Sequence, residues 1–181
     1  MTGILQDKLY IEQLNEAISL SEKTEIGKYA PFFSLPNIKG EKITRSSEDF
    51  KKKNLLINFW ASWGDSISNH QSNTELKEIY QKYKKNKHIA MLGISLDMDK
   101  QEWQDAIKRD TLNWEQVCDF GGLNSEVAKQ YAIKQVPNNI LLSADGKILA
   151  KNLKGEQLKK KIEEVVTAAE EKEKQDNKKK K

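Results

Sequence analysis

The stretch Leu55-Leu56-Ile57-Asn58-Phe59-Trp60-Ala61-Ser62-Trp63-Gly64-Asp65-Ser66-Ile67 decides how this chain folds. From Leu55 to Trp60 only Asn58 is polar, and a nearly continuous apolar run is the mark of a strand covered on both faces. That places it at the centre of a sheet. Downstream, Leu76, Ile79, Tyr80 and Tyr83 recur at helical spacing, and Ser72-x-x-Glu75 offers a capping box at or just inside the start of that helix.

The same alternation continues outward. A second apolar strand runs from Ile89 to Leu96, and Asp99-x-x-Glu102 caps a helix that buries Trp103, Ala106 and Ile107. Gln116 to Asp119 is a minor strand, broken by Gly121-Gly122, after which Asn124-Ser125 caps a short helix carrying Val127, Ala128 and Tyr131. Asp145-Gly146 between Ile140-Leu142 and Ile148-Ala150 is a hairpin signal, and Leu158, Ile162, Val165 and Ala169 mark a last helix. On the amino side, Ala30 to Pro36 and Ile43 flank the turn Lys39-Gly40-Glu41-Lys42, which fits an edge hairpin because proline is confined to sheet edges. Strands alternating with helices predict an α/β sandwich with a parallel core, to which the closing hairpin adds antiparallel strands.

Residues 4–21 carry Ile11, Leu14 and Ile18 on one stripe, an amphipathic helix expected to rest on the main body or on another domain. The organisation is therefore a linker helix over 1–23, one domain over 24–168, and a charged tail over 169–181 expected to be disordered for want of an apolar face. The chain has 181 residues, which suits one domain, and no apolar run approaches the roughly 20 residues of a membrane helix. Met1 to Lys8 lacks a basic region before its short apolar stretch and is not expected to act as a signal peptide. The net charge of +4 comes largely from lysines after residue 171, so no basic face is implied and nucleic acid is not an expected partner. One cysteine, Cys118, rules out an internal disulfide, and with only His70 and His88 beside it a Cys/His zinc site lacks ligands.

Phe59-Trp60-Ala61-Ser62-Trp63 at the end of a central strand resembles the thioredoxin-like thiol-disulfide oxidoreductases of the bacterial cell envelope, the TlpA/ResA type. Ala30-Pro31-Phe32-Phe33-Ser34-Leu35, Gly93-Ile94-Ser95-Leu96-Asp97, Gln130-Tyr131-Ala132-Ile133 leading to Val136-Pro137, and Asp145-Gly146-Lys147-Ile148 extend the likeness over about residues 27–166. The resemblance implies a thioredoxin-like three-layer α/β/α sandwich with a mixed central sheet and an amino-terminal edge hairpin. It also implies an envelope location on the periplasmic side, and a cis Val136-Pro137 peptide facing the helix that starts at Gly64.

In that family the tryptophan pair runs into Cys-x-x-Cys. The chemistry needs a thiol at a helix amino end, where unpaired N–H groups and the dipole favour the thiolate, and a second thiol one turn later to resolve the mixed disulfide. Here those positions read Gly64, Asp65, Ser66 and Ile67. Glycine has nothing to attack with, isoleucine nothing to resolve with, and a serine hydroxyl does not exchange disulfides. The peroxidase route of the related peroxiredoxins, which requires a cysteine near the same helix start, is equally unsupported. Ser66 and His70 have helical spacing but no nucleophile elbow or acid partner, so cap and solvated residue are their plainer readings. Asp97 and Asp99 are turn and cap residues more readily than metal ligands, and Cys118 is a small core hydrophobe. No cofactor or metal is called for.

What survives of the family's machinery is a docking edge. By the resemblance, the backbone of Val136 pairs with an extended segment beside Trp63, and strand addition requires no thiol. The expected function is a redox-inactive domain that binds a protein or peptide segment, its own precursor's upstream domain included, across Trp63, Asp65, Ser66, Val136 and Pro137. The alternatives are an oxidoreductase with a monothiol route through Cys118, and a purely structural domain that caps or dimerises a larger envelope protein through helix 4–21.

Overall fold

All seven residues of β3 (Asn54–Trp60) are buried, as its composition requires. The computed structural model describes residues 2–63 and 66–179. In chain order it has α1 (Thr2–Lys23), β1 (Ser34–Pro36), β2 (Lys42–Thr44), β3, α2 (Ser66–Tyr83), β4 (Ile89–Ser95), α3 (Lys100–Asp110), β5 (Glu115–Cys118), α4 (Glu126–Gln130), β6 (Asn138–Leu142), β7 (Ile148–Lys151) and α5 (Gly155–Lys179). The main sheet runs β5-β4-β3-β6-β7, with β3 parallel to β4 and β4 to β5. The β3/β6 and β6/β7 pairs are antiparallel.

Side chains alternate between two cores. Leu55, Ile57 and Phe59 meet Phe33, Val127 and Tyr131 on one face, whereas Leu56 and Trp60 meet Leu76, Trp103, Leu158 and Ile162 on the other. Each such leucine or isoleucine contributes roughly 1.5–3 kcal/mol by leaving water, so a strand packed on both faces anchors whatever follows it. On the second face a buried amide replaces a hydrocarbon. Gln116 lies flat over Gly93, where a Cβ atom would come within 1.9 Å of its Oε1. That oxygen accepts the Trp60 indole N–H at 3.0 Å.

The expected hairpin is present as a separate two-stranded sheet of β1 and β2, joined to β5 through an Asn37–Val117 bridge. Asn37 closes its turn by accepting the N–H groups of Lys39 and Glu41, both at 2.9 Å. Asp99 caps α3 by accepting the Glu102 N–H at 2.9 Å, and Ser125 caps α4 through the Ala128 N–H at 3.2 Å.

Two expectations need correction, and a third narrows. The helix after β3 begins at Ser66, so Ser72 and Glu75 lie inside it and form no capping box. The body does not cover the α1 stripe, since Ile11, Leu14 and Ile18 are each about half exposed, which leaves another domain as its expected support. The tail is helical through Lys179. Composition gave it no apolar face, but polar contacts hold it: Asn86 donates to Glu170 at 3.2 Å, and Lys87 reaches Glu173 at 2.6 Å with His88 at 3.3 Å. Lys180 and Lys181 lie outside the described residues.

Candidate functional site

The parallel strands β3, β4 and β5 end on one edge of the sheet, and of the residues singled out in the sequence Trp63 and the Val136-Pro137 peptide belong to that edge. β3 carries Trp60 to its end, and Ala61 and Ser62 lead out to Trp63, which is 52% exposed. Gly64 and Asp65 lie outside the described residues, as do the side chains of Ser66, Ile67 and His70. The backbone of Ser66 and Ile67 opens α2, so the positive end of an 18-residue helix is directed at this edge.

The register places the other half of the site. Phe59 pairs with Asn138, so the residue before Asn138, Pro137, falls opposite Trp60, one strand spacing of about 4.8 Å away. The Val136-Pro137 peptide is cis. Val136 is half-buried against the first core, and Pro137 borders a cavity of about 260 Å³ between α2 and the start of α5. Gln71, Ser72, Glu75, Asn139 and Lys154 share that cavity. Trp63, Val136 and Pro137 thus sit at one edge around the start of α2.

Cys118 is not part of this group. It pairs with Ser95, which pairs with Trp60, so it stands two strands or about 10 Å across the sheet from β3. The thiol is fully buried, donates to the Asp97 carbonyl at 3.6 Å and accepts the Phe120 N–H at 3.3 Å. Burial pushes its pKa up to about 11, outweighing the lowering by the Phe120 hydrogen bond. At pH 7 about one thiol in ten thousand is then ionised, and the thiolate is the species that exchanges.

Asp97 has a place the sequence did not reveal. Instead of shaping a turn as expected, it is fully buried and ties the strand ends together. Its Oδ1 accepts the Ser62 N–H at 2.9 Å and the Ser62 hydroxyl at 2.6 Å, while Oδ2 accepts the Ser95 hydroxyl at 2.6 Å. The only local signal is an acid two residues after a strand serine; its main partner lies 35 residues away. Asp99 is the α3 cap, and no group of three or more His, Cys, Asp or Glu side chains among the described residues is arranged to hold a metal. Nor is any described helix long and apolar enough to cross a membrane.

Comparison with known proteins accords with this architecture. Residues 52–148 match the Thioredoxin-like family model. The thiol-disulfide oxidoreductase ResA of Bacillus cereus is 33% identical over 146 residues, spanning 81% of this chain and 79% of that protein. Among solved structures, a domain described as the C-terminal domain of a thiol-disulfide oxidoreductase from Bacteroides thetaiotaomicron is 79% identical, with a TM-score of 0.79. The match covers 81% of this chain and 99% of that one. A thiol-disulfide oxidoreductase from Bacteroides fragilis is 59% identical over 76% of this chain and 99% of its own, with a TM-score of 0.74. With the mixed five-stranded sheet and the Trp-Ala-Ser-Trp edge in place, the chain belongs to the thioredoxin-like family, among the thiol-disulfide oxidoreductases of the ResA type.

Proposed function

We propose that this chain is a thioredoxin-fold domain without dithiol exchange, and that it holds an extended polypeptide segment across Trp63, Asp65, Ser66, Val136 and Pro137. The observation that carries the first half is the location of sulfur. Gly64 and Ile67 occupy the two positions where the family places its thiols, and the one cysteine, Cys118, is buried in the core with its pKa raised to about 11. A monothiol route through Cys118 needs an accessible thiolate, and burial opposes both requirements.

The second half follows from what remains at the edge. A half-exposed tryptophan follows three residues after Trp60, the strand residue that Pro137 falls opposite by register, and capture by strand addition uses main-chain hydrogen bonds with side-chain contacts for specificity. The segment belongs to another protein or to an upstream part of the same precursor, in keeping with a Bacteroides relative described as a C-terminal domain. The compartment proposed is the periplasmic side of the cell envelope, by analogy with the family.

Insulin reduction by the chain beside its Gly64→Cys, Ile67→Cys double variant tests this reading. A silent parent and an active variant are expected, because the scaffold then needs only its thiols. An active parent would refute the claim of lost exchange.

A further inference from the structure

The helix α1 meets the body at its carboxyl end. There the buried Thr24 hydroxyl donates to the Leu20 and Ser21 carbonyls at 3.2 and 3.1 Å, and Lys151 reaches that hydroxyl at 3.2 Å. Further out, every residue from Tyr10 to Glu16 is exposed. A helix so bare draws its stability from an apolar face packed against something else.

The face is there. Ile11, Leu14 and Ile18 are 55%, 48% and 48% exposed and follow one another at steps of three and four. In heptad terms Ile11 and Ile18 take position a and Leu14 the d between them, and in the sequence Ile4 continues the seven-residue spacing of a. At about 100° per residue, the partly buried Leu20 lies about 200° on from Ile18, so the seam points away from the covered side of the helix and is open to a neighbour.

We propose that α1 pairs with α1 of a second copy of this chain as a short parallel coiled coil through Ile11, Leu14 and Ile18. The residue types choose this occupant. Isoleucine at a with leucine at d is the combination that favours two parallel strands, and identical helices in register meet isoleucine with isoleucine and leucine with leucine. The flanks agree. In a parallel pair position g faces position e five residues on, so Tyr10 meets Asn15, Ala17 meets Glu22, and neither contact opposes like charges. Asp7 and Ser21 occupy the neighbouring d positions, which limits the seam to three layers. Three half-exposed side chains from each helix bury less than the roughly 1,000 Å² of a stable interface, so the pairing is weak and half complete at about 100 µM.

Sedimentation equilibrium of the full chain from about 10 µM to about 1 mM tests the pairing. The expected result is a weight-average mass that climbs from one copy toward two, with the far-ultraviolet helix signal deepening alongside. An Ile11→Lys, Ile18→Lys double variant should stay at one copy throughout with its near-ultraviolet spectrum unchanged, because both side chains lie outside the body's cores. Leu14→Cys reads the direction of the chains. Parallel pairing brings both Leu14 positions into one layer, so oxidation with copper phenanthroline should link two copies, while the wild-type chain with its buried Cys118 stays unlinked. One copy at every concentration would overturn the proposal, as would a dimer that the double variant preserves. A dimer lost in that variant but not linked through Leu14→Cys would overturn the parallel coil in favour of antiparallel helices.

Discussion

Replacing Asp97 probes how the edge of the sheet is held. Asp97→Ala removes the acceptor of three hydrogen bonds: the Ser62 N–H at 2.9 Å, the Ser62 hydroxyl at 2.6 Å and the Ser95 hydroxyl at 2.6 Å. Ser95 is fully buried, so its hydroxyl has no water to turn to, whereas Ser62 is partly exposed and recovers some hydration. At about 1–3 kcal/mol for each buried donor left without a partner, and less where water reaches, the variant should lose about 3–5 kcal/mol. Asp97→Asn keeps one acceptor oxygen for Ser62 and sets an NH₂ group against Ser95, whose hydroxyl already accepts the Asp97 N–H at 3.0 Å. Its cost should be smaller, about 1–2 kcal/mol. The opposing effect is real: relieving a buried charge sometimes stabilises a protein. Urea unfolding followed by far-ultraviolet circular dichroism gives both numbers, provided the slope stays at the wild-type value. An asparagine variant equal to or more stable than wild type would show that burying the carboxylate costs more than its hydrogen bonds return, and the reasoning would fail.

Further expectations follow from the same geometry. Gly93→Ala should displace the Gln116 amide from Trp60 and cost about 1–3 kcal/mol in the same assay; a cost below about 0.5 kcal/mol would mean that the amide moves freely. Cys118 should resist iodoacetamide at pH 8 in the native state and react quickly in urea. Because its folded pKa lies above the unfolded value near 9, the unfolded state releases the proton first; stability is kept below pH 9 and falls by about 2–3 kcal/mol as pH rises to 11. A Cys118→Ser variant showing the same alkaline loss would assign it elsewhere. Glu173 is held below its ordinary value of 4.5, first by the Lys87 hydrogen bond and then by the charges of Lys87 and His88. A lowered carboxyl pKa stabilises above the unfolded value, so the end of α5 should lose hydrogen-exchange protection as pH falls below about 4.5. Protection unchanged to pH 3 would show that this contact does not hold the helix.

What could be read beforehand is what local pattern encodes. β3 was legible because two-sided burial leaves an apolar run, the α3 cap because Asp99 and Glu102 are neighbours in sequence, and the β6-β7 hairpin because Asp145-Gly146 has the turn chemistry. The family frame was legible for the same reason, in short motifs at strand ends. The extent of α5 was not, since the partners of Glu170 and Glu173 lie 84 and 86 residues upstream. Asp97 was misread as a turn residue because an acid after a strand has that local use, and its bond to Ser62 spans 35 residues. Ser72-x-x-Glu75 was read as a capping box because a capping pattern inside a helix is indistinguishable, in sequence, from one at its end.

The central claim concerns thiols, and its most direct measurement is dithiothreitol-driven insulin reduction by the wild-type chain compared with Cys118→Ser. The account predicts that both run at the uncatalysed rate. Wild-type turnover above that rate, lost on replacing Cys118, would contradict it.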